Sequence, residues 1–519
     1  MHRAQNNLRN LVLAVDQGTT STRCITFDKN GNLVHSAFEE FPQIYPSSGW
    51  VEHDAEQIFE SVKSCISKLA FSGSDIVKSI GLTNQRETVL AWSRRTGKPF
   101  YNCLVWLDTR TRESVKREAS TSPLGVNKYR QITGLPLSTY FSAMKIRWLI
   151  DNVSAVHEAL SVGDCCFGTI DSYLAWRLTG GSAFVTDVTN ASRYNLMDLH
   201  SLEWSEYACN ELGIPIESLP RIVSNVEEVG RVSAQVIPAL ADVPIGALIG
   251  DQHAAMLGHG CVARHSSKIT YGTGCFMLMN TGKDPSPSRS GALLSTMAFK
   301  LGPSSQAVYA LEGSVASAGR SIQWAKENLR IGNDMHEFNE IASSVPNTCG
   351  VTFVPGFSGL FAPYWREDAR AVIVGMSLAC SYRHIARAIV EATAVQCAEI
   401  VKLMRQDADL QENDMQNPIV TDGGMTKSDL LMQMQADLLN IPIQRARMCE
   451  ATAFGAAYCA GLAINFWEGK DVKRLIENSQ SEGYDEFVPR MSESDRVGVF
   501  ARWQDAVERS YDLSKFGPG

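Results

Sequence analysis

Leu11-Val-Leu-Ala-Val-Asp16-Gln-Gly18-Thr19-Thr20-Ser21-Thr22-Arg23-Cys-Ile-Thr-Phe27 sets an aspartate at the end of one apolar run and opens a second run after a turn. Between the runs stand a glycine, four hydroxyl residues and an arginine. This spacing predicts two strands joined by a turn that presents backbone N–H groups, hydroxyls and a cation, which suits a multiply charged anion such as phosphate. Asp16 would repel that anion unless a divalent cation lay between them, so the stretch points to a Mg-nucleotide site. Taken alone it also reads as an ordinary polar hairpin.

Around this stretch the chain has the composition of a globular protein. It runs to 519 residues, 44% hydrophobic, which exceeds one hydrophobic core and predicts two large domains. Its 56 acidic and 48 basic residues give a net charge of −8 with no basic run, which argues against nucleic acid or an anionic membrane as partner. No apolar stretch reaches the roughly 18 residues of a membrane span. Ala451–Ile464 comes closest, and its Ala/Gly content suits a tightly packed buried helix. The N-terminus MHRAQNNLRN lacks an apolar signal core, and SKFGPG at the C-terminus is not a peroxisomal tripeptide, so a cytoplasmic location is expected. Thirteen scattered cysteines without a CxxC pair fit a reducing compartment rather than zinc or a disulfide framework.

Helix and strand patterns alternate along the whole chain, the mark of an α/β protein. Helical periodicity is predicted over Ala55–Leu69, Ser142–Asn152, Val315–Asn328, His384–Met404, Ser428–Leu439 and Val497–Tyr511. Buried-type strands are predicted at Ser79–Thr83, Ile245–Gly250, Val351–Pro355 and Ile419–Asp422. Ile269–Met279 repeats the opening pattern of strand, Gly/Thr turn and strand. If the repeat is genuine, two related halves meet near Leu257–Val262, with ligands in the cleft at strand C-terminal ends. There is no GxxxxGK[ST], so a P-loop is excluded.

Asp251 closes a second apolar run, Ile245–Gly250, and can take a proton from a hydroxyl or hold a metal; it can equally cap the following helix. Thr273 and Gly274 in the second turn let backbone amides approach phosphates. Gly423 and Gly424 follow a strand and permit close approach of a flat ring, or make a simple turn. Asn84-Gln-Arg86-Glu87 follows a strand, where Arg86 and Glu87 form either a structural ion pair or a donor and acceptor for polyol hydroxyls. Trp106, Tyr140 and Phe276 are core aromatics or, if they converge, an apolar wall against a short carbon backbone.

In chain order stand VDQGTTSTR, NQRET, VWLDTR, TYFSAMKIRW, GTID, TDVTNASR, GDQHAA, YGTGCF, LEGSVASAG and DGGM. This series resembles the FGGY carbohydrate kinases over nearly the whole chain, and NQRE with Trp106 resembles their glycerol-specific branch. The resemblance implies two actin/Hsp70/hexokinase-like (ribonuclease H-like) domains around a central cleft, residues 1–258 with the glycerol site and phosphate loop and 259–519 with the adenosine site. It implies ATP-dependent phosphorylation of glycerol to sn-glycerol 3-phosphate with Mg2+, in a homodimer or homotetramer. Arg86, Glu87, Tyr140, Asp251 and Gln252 match glycerol-contacting positions, with Trp106 and Phe276 as the wall and Asp251 as general base. Thr19, Thr20, Ser21 and Arg23 match the phosphate loop; Thr273, Gly319, Gln323, Gly424 and Ser428 match nucleotide-contacting positions; Asp16 and Asp251 match positions near the metal. Ser428 stands where relatives carry an Asn that contacts adenosine, His253 where a Gln is frequent, and Arg320 where a small residue is usual. Ser233–Val243 has no glycine pair and no arginine, so regulation by fructose 1,6-bisphosphate is not expected. A kinase for another polyol or sugar, or an actin-like ATPase, are the competing readings.

Overall fold

The computed structural model describes residues 8–285, 288–357, 359–410, 417–447, 450–467, 472–479 and 483–516. Residues 1–7 and 517–519, on which the readings of the two termini largely rest, lie outside the described residues.

Two sheets organise the chain. The first has six strands in the order Val226–Arg231, Pro244–Gly250, Asp75–Asn84, Arg9–Gln17, Ser21–Phe27, Leu33–Glu40. The second has seven, in the order Leu294–Phe299, Val308–Val315, Cys275–Gly282, Ser267–Tyr271, Ile419–Asp422, Ile443–Ala446, Tyr484–Phe487. The repeat read from the two Gly/Thr turns extends to topology. In each sheet the opening hairpin is antiparallel, with Asp16 opposite Arg23 and Tyr271 opposite Cys275. A third antiparallel strand follows on one side. On the other side the first strand pairs in parallel with a later strand, Asp16 beside Thr83 and Ile269 beside Thr421, and one more parallel strand extends the sheet.

Leu11–Val15 are fully buried, as expected of a central strand covered on both faces. Ala55–Lys68 packs on this sheet, its N-terminus capped by Asp54, whose side chain accepts from the backbone N–H groups of Glu56 and Gln57. The predicted helix Val315–Asn328 starts later, at Gly319, because Val308–Val315 is a strand paired with Cys275–Gly282. β-branched Val315 suits that strand better than a first helical turn.

Helix Ala451–Ala463 belongs to the second half of the sequence yet packs on the first sheet and on helix Asp251–Gly258. Its small residues permit this. A Cβ placed on Gly455 would lie 1.9 Å from the Ala254 carbonyl oxygen, one on Gly258 1.9 Å from that of Ala451, and one on Gly81 2.2 Å from that of Ala456. The backbones of the two halves therefore touch directly along this seam. Among the described residues no helix is long and apolar enough to cross a membrane.

Candidate active site

Five of the chemistry-bearing segments lie at the C-terminal ends of strands in the two sheets. Asp16 is the penultimate residue of Arg9–Gln17, Gln85–Glu87 follow Asp75–Asn84, and Asp251 follows Pro244–Gly250. Gly272–Gly274 follow Ser267–Tyr271, and Gly423–Gly424 follow Ile419–Asp422. Parallel neighbours bring such ends together at one edge of a sheet.

Arg86 is the hub. Its Nε lies 3.3 Å from Asp251 Oδ1, while Nη1 and Nη2 donate to Glu312 Oε2 at 2.6 Å and Oε1 at 3.0 Å. Glu312 also accepts from Arg193 Nη2 at 3.1 Å, and Arg193 Nε donates to Glu87 Oε1 at 2.5 Å. Arg86 and Glu87 thus do not pair with each other: each is held by a third residue in a chain of alternating charge, Asp251–Arg86–Glu312–Arg193–Glu87, buried except at Asp251, whose side chain is 26% exposed. The fork-to-fork contact between Arg86 and Glu312 fixes the guanidinium plane as well as its place. Burial raises the Glu312 carboxyl, but Arg193 and Arg86 outweigh it and hold the group below its ordinary range. Glu87 sits at φ +59°, a left-handed conformation unusual for a glutamate and held here by the surrounding buried ion pairs.

Asp251 is the first residue of helix Asp251–Gly258, and its Oδ1 accepts the Gln252 backbone N–H at 2.7 Å. The helix cap is Gly250, with no side-chain capping bond, so Asp251 is not the cap the sequence offered as one reading, and it faces Arg86. Burial pushes its carboxyl up, Arg86 pulls it down, Glu87 raises it and Lys268 lowers it, for a net rise. Gln252 is held by the buried Lys268 ammonium, which donates to Gln252 Oε1 and, at 2.7 Å, to Thr270 Oγ1. His253 is buried, and burial together with Arg86, Arg193 and Lys268 outweighs a backbone hydrogen bond with Met297 and depresses its basicity, so the ring is neutral.

The three aromatics converge. Ring centroids of Trp106 and Tyr140 are 5.8 Å apart, and those of Trp106 and Phe276 are 5.7 Å apart, edge-on. Trp106 also reaches the phosphate-loop candidate, its Nε1 donating to Thr19 Oγ1 at 3.0 Å. That turn is braced from below: Gly18 N–H donates to the Ser21 carbonyl, Gln85 Nε2 to the Gly18 carbonyl and Gln43 Nε2 to the Thr19 carbonyl. Thr20 stays exposed and Ser21 half-buried. Arg23 pairs with Glu450, its Nη1 3.3 Å from Oε2.

Burial pushes the Asp16 carboxyl up to about 7; Arg23 lowers it, and the charges of Asp251 and Glu450 add to the rise. Among the described residues no group of three or more His, Cys, Asp or Glu side chains could by itself hold a metal ion.

On the second sheet, the Thr273 carbonyl accepts the backbone N–H groups of Ala318 and Arg320, and that of Gly272 accepts the N–H of Gly319. The start of helix Gly319–Leu329 is thereby sewn onto the Gly272–Gly274 turn. A Cβ on Gly319 would lie 2.7 Å from the Gly272 oxygen, so only glycine fits. Gly423, at φ +95°, abuts the Tyr271 backbone, whereas a Cβ on Gly424 would meet nothing, leaving an open face at that residue. Gln323 is exposed and bonded to Glu327. Ser428 is 5% exposed and its hydroxyl caps helix Asp429–Leu439 by accepting Leu431 N–H at 3.3 Å. Arg320 is exposed.

Glu312, Arg193 and Lys268 were not among the residues predicted from sequence. Each sits in or beside a quoted block, but only as an ordinary charged residue; full burial is the signal that marks them, and it exists only in three dimensions. Asp422 is similar: burial raises it, but His259 Nε2 at 2.9 Å and Lys268 bring its carboxyl down to about 2.

Two family models match the chain: the FGGY family of carbohydrate kinases, N-terminal domain, over residues 11–258, and its C-terminal domain over 267–464. A glycerol kinase of Nocardia farcinica is 46% identical over 97% of this chain and 99% of its own. A glycerol kinase of Arabidopsis thaliana is 45% identical over 96% and 98%. Among solved structures, Plasmodium falciparum glycerol kinase with ADP superposes with a TM-score of 0.87 at 38% identity, covering 97% of this chain and 98% of that one.

Proposed function

We propose that this chain, which belongs to the FGGY family of carbohydrate kinases, transfers the γ-phosphoryl group of ATP to glycerol, yielding sn-glycerol 3-phosphate and ADP. The observation that carries the polyol reading is the convergence of Arg86, Glu87 and Asp251 beside the aromatic group Trp106, Tyr140 and Phe276. Charged donors and acceptors on one side and an apolar wall on the other suit a molecule with hydroxyls along a short carbon backbone.

In this reading Arg86, oriented by Glu312, donates to glycerol hydroxyls, and Glu87, turned by Arg193, accepts from them. Asp251 takes the proton of the attacking hydroxyl; its raised affinity for a proton suits that role. Lys268 holds Gln252 toward the same substrate. The backbone and hydroxyls of Thr19, Thr20 and Ser21, with Arg23, face the phosphates from the first half, and Thr273 from the second. Gly319, Gln323, Gly424 and Ser428 are assigned to the nucleoside side. Because the Ser428 hydroxyl already caps a helix, its contact is short-range packing rather than a long polar reach. Mg2+, when bound near Asp16 and Asp251, supplies charge neutralisation across the phosphates. Phosphoryl transfer otherwise depends on positioning and charge, so closure of the cleft that excludes water belongs to the same reading. We assign residues 1–258 to the glycerol and phosphate half, 259–519 to the adenosine half, the cytoplasm as location and a homodimer or homotetramer as assembly.

A coupled assay for glycerol 3-phosphate, run beside a panel of pentuloses, hexoses and short polyols, tests this. A preferred pentulose would overturn the glycerol assignment, and ATP hydrolysis indifferent to any alcohol would favour an ATPase.

A further inference from the structure

We propose that Cys349 and Cys380 are a modification site: a vicinal dithiol that closes reversibly to a disulfide on exchange with a small disulfide such as oxidised glutathione. Of the described cysteines, ten are buried and these two alone are partly exposed. They are 31 residues apart in sequence, yet the fold presses them together. Strands Thr352–Val354 and Val372–Val374 are antiparallel, Thr352 opposite Val374. Beyond that pair the backbones close to the point where a Cβ on Gly375 would lie 2.1 Å from the Gly350 carbonyl oxygen. Cys349 stands next to Gly350, and Cys380 returns through the exposed turn Met376–Ala379 to place Sγ 3.7 Å from the Cys349 carbonyl oxygen. The two thiols face each other and perturb each other's ionisation.

The pair is chemically unequal. The Ser377 backbone N–H lies 3.3 Å from Cys380 Sγ and the Ser377 hydroxyl 3.5 Å from it, an environment that stabilises a thiolate. At Cys349 the contact with Cys380 and burial instead push the thiol up; the residue takes a left-handed φ of +53° and lines a surface cavity of about 650 Å³ with Arg387 and Arg502. Cys380 is thus the attacking group and Cys349 the resolving one. The Cys380 thiolate attacks one sulfur of oxidised glutathione, forming a mixed disulfide and expelling one glutathione thiolate. Cys349 loses its proton, attacks the Cys380 sulfur, and expels the second. Two protein thiols and one small disulfide become one protein disulfide and two glutathione molecules. The bond would tie the start of helix Tyr382–Asp407 to the loop before Thr352.

The test uses the full-length protein, folded, incubated with oxidised glutathione, quenched in acid, alkylated and peptide-mapped without reductant. The expected product is a Cys349–Cys380 linked peptide pair, lighter than the two reduced peptides by two hydrogens and lost on adding dithiothreitol. Cys349→Ser should instead accumulate the mixed disulfide at Cys380, and Cys380→Ser should leave Cys349 alkylated. Recovery of both cysteines alkylated, or both as separate glutathione adducts in the native chain, overturns the proposal. Because that readout needs no variant, misfolding of either serine mutant does not shield it.

Discussion

Replacing Glu312 by alanine removes the carboxylate that two buried guanidiniums share. Glu312 accepts from Arg86 at 2.6 and 3.0 Å and from Arg193 at 3.1 Å, and the Arg86, Arg193 and Glu312 side chains are at most 2% exposed. Without it, two positive charges face each other in a site water barely reaches. Breaking a buried ion pair from one side costs about 3–5 kcal/mol, because the desolvated partner keeps its charge and loses its compensation. For domains of this size, about 2–4 °C of melting temperature accompanies each kcal/mol, so Glu312→Ala should melt roughly 6–20 °C lower. Glu312→Gln keeps the shape and one acceptor oxygen, and should recover about half of that loss. Arg86 is held toward Asp251 by the same contact, so the KM for glycerol should rise at least about tenfold, equivalent to some 1.4 kcal/mol, with little change in the KM for ATP. Melting by calorimetry and steady-state kinetics with each substrate varied would measure both. A Glu312→Ala protein that melts with the wild type and keeps its glycerol KM would refute the claim that this carboxylate holds the site together.

Asp251→Ala should cut turnover by about 10²–10⁴ while the chain stays folded; near-normal turnover removes Asp251 as the base. Gly455→Ala forces a methyl group to within 1.9 Å of the Ala254 carbonyl; it should destabilise by about 1–3 kcal/mol or more, seen in urea denaturation, whereas Gly73→Ala, where a Cβ meets nothing and φ is not positive, should change stability little. Burial raises the Glu399 carboxyl to about 7, against hydrogen bonds from Tyr364 and Trp503 that lower it. With the folded value above the unfolded one, its contribution is fully present below the ordinary carboxylate range and is lost as pH rises through about 7. Glu399→Gln should therefore flatten the fall in stability between about pH 4.5 and 7, and an unchanged pH profile would exclude that role.

Local chemistry was legible in the chain where the physical signal is local. An apolar run that stops at Asp16, a turn rich in hydroxyls and a second run define a hairpin wherever they occur, and the same pattern at Ile269–Met279 disclosed the two related halves. Helix Ala55–Lys68 shows its apolar stripe in the sequence itself. Val315 lay outside that reach: strand or helix depended on whether Cys275 stood opposite it. The partners of Arg86 and Glu87 were equally hidden. Neighbours in sequence, they suggested a pair with each other, but consecutive residues after a strand diverge, and each found its counter-charge more than a hundred positions away. Ser428 looked like a departure at a ligand contact, and only the helix that begins beside it shows the hydroxyl already in use.

Composition alone marked Ala451–Ile464 as a buried helix of small residues, and the chain by itself determined the α/β pattern and the hairpin that opens each large sheet. It could not say that this helix, from the second half, would lie on the first sheet, with Gly455 against Ala254 and Gly258 against Ala451. Nor could it say that Glu312 would reach across to hold Arg86. Strand and turn patterns arise from interactions among neighbours, whereas burial, counter-charge and close backbone approach depend on which distant segments the fold brings into contact.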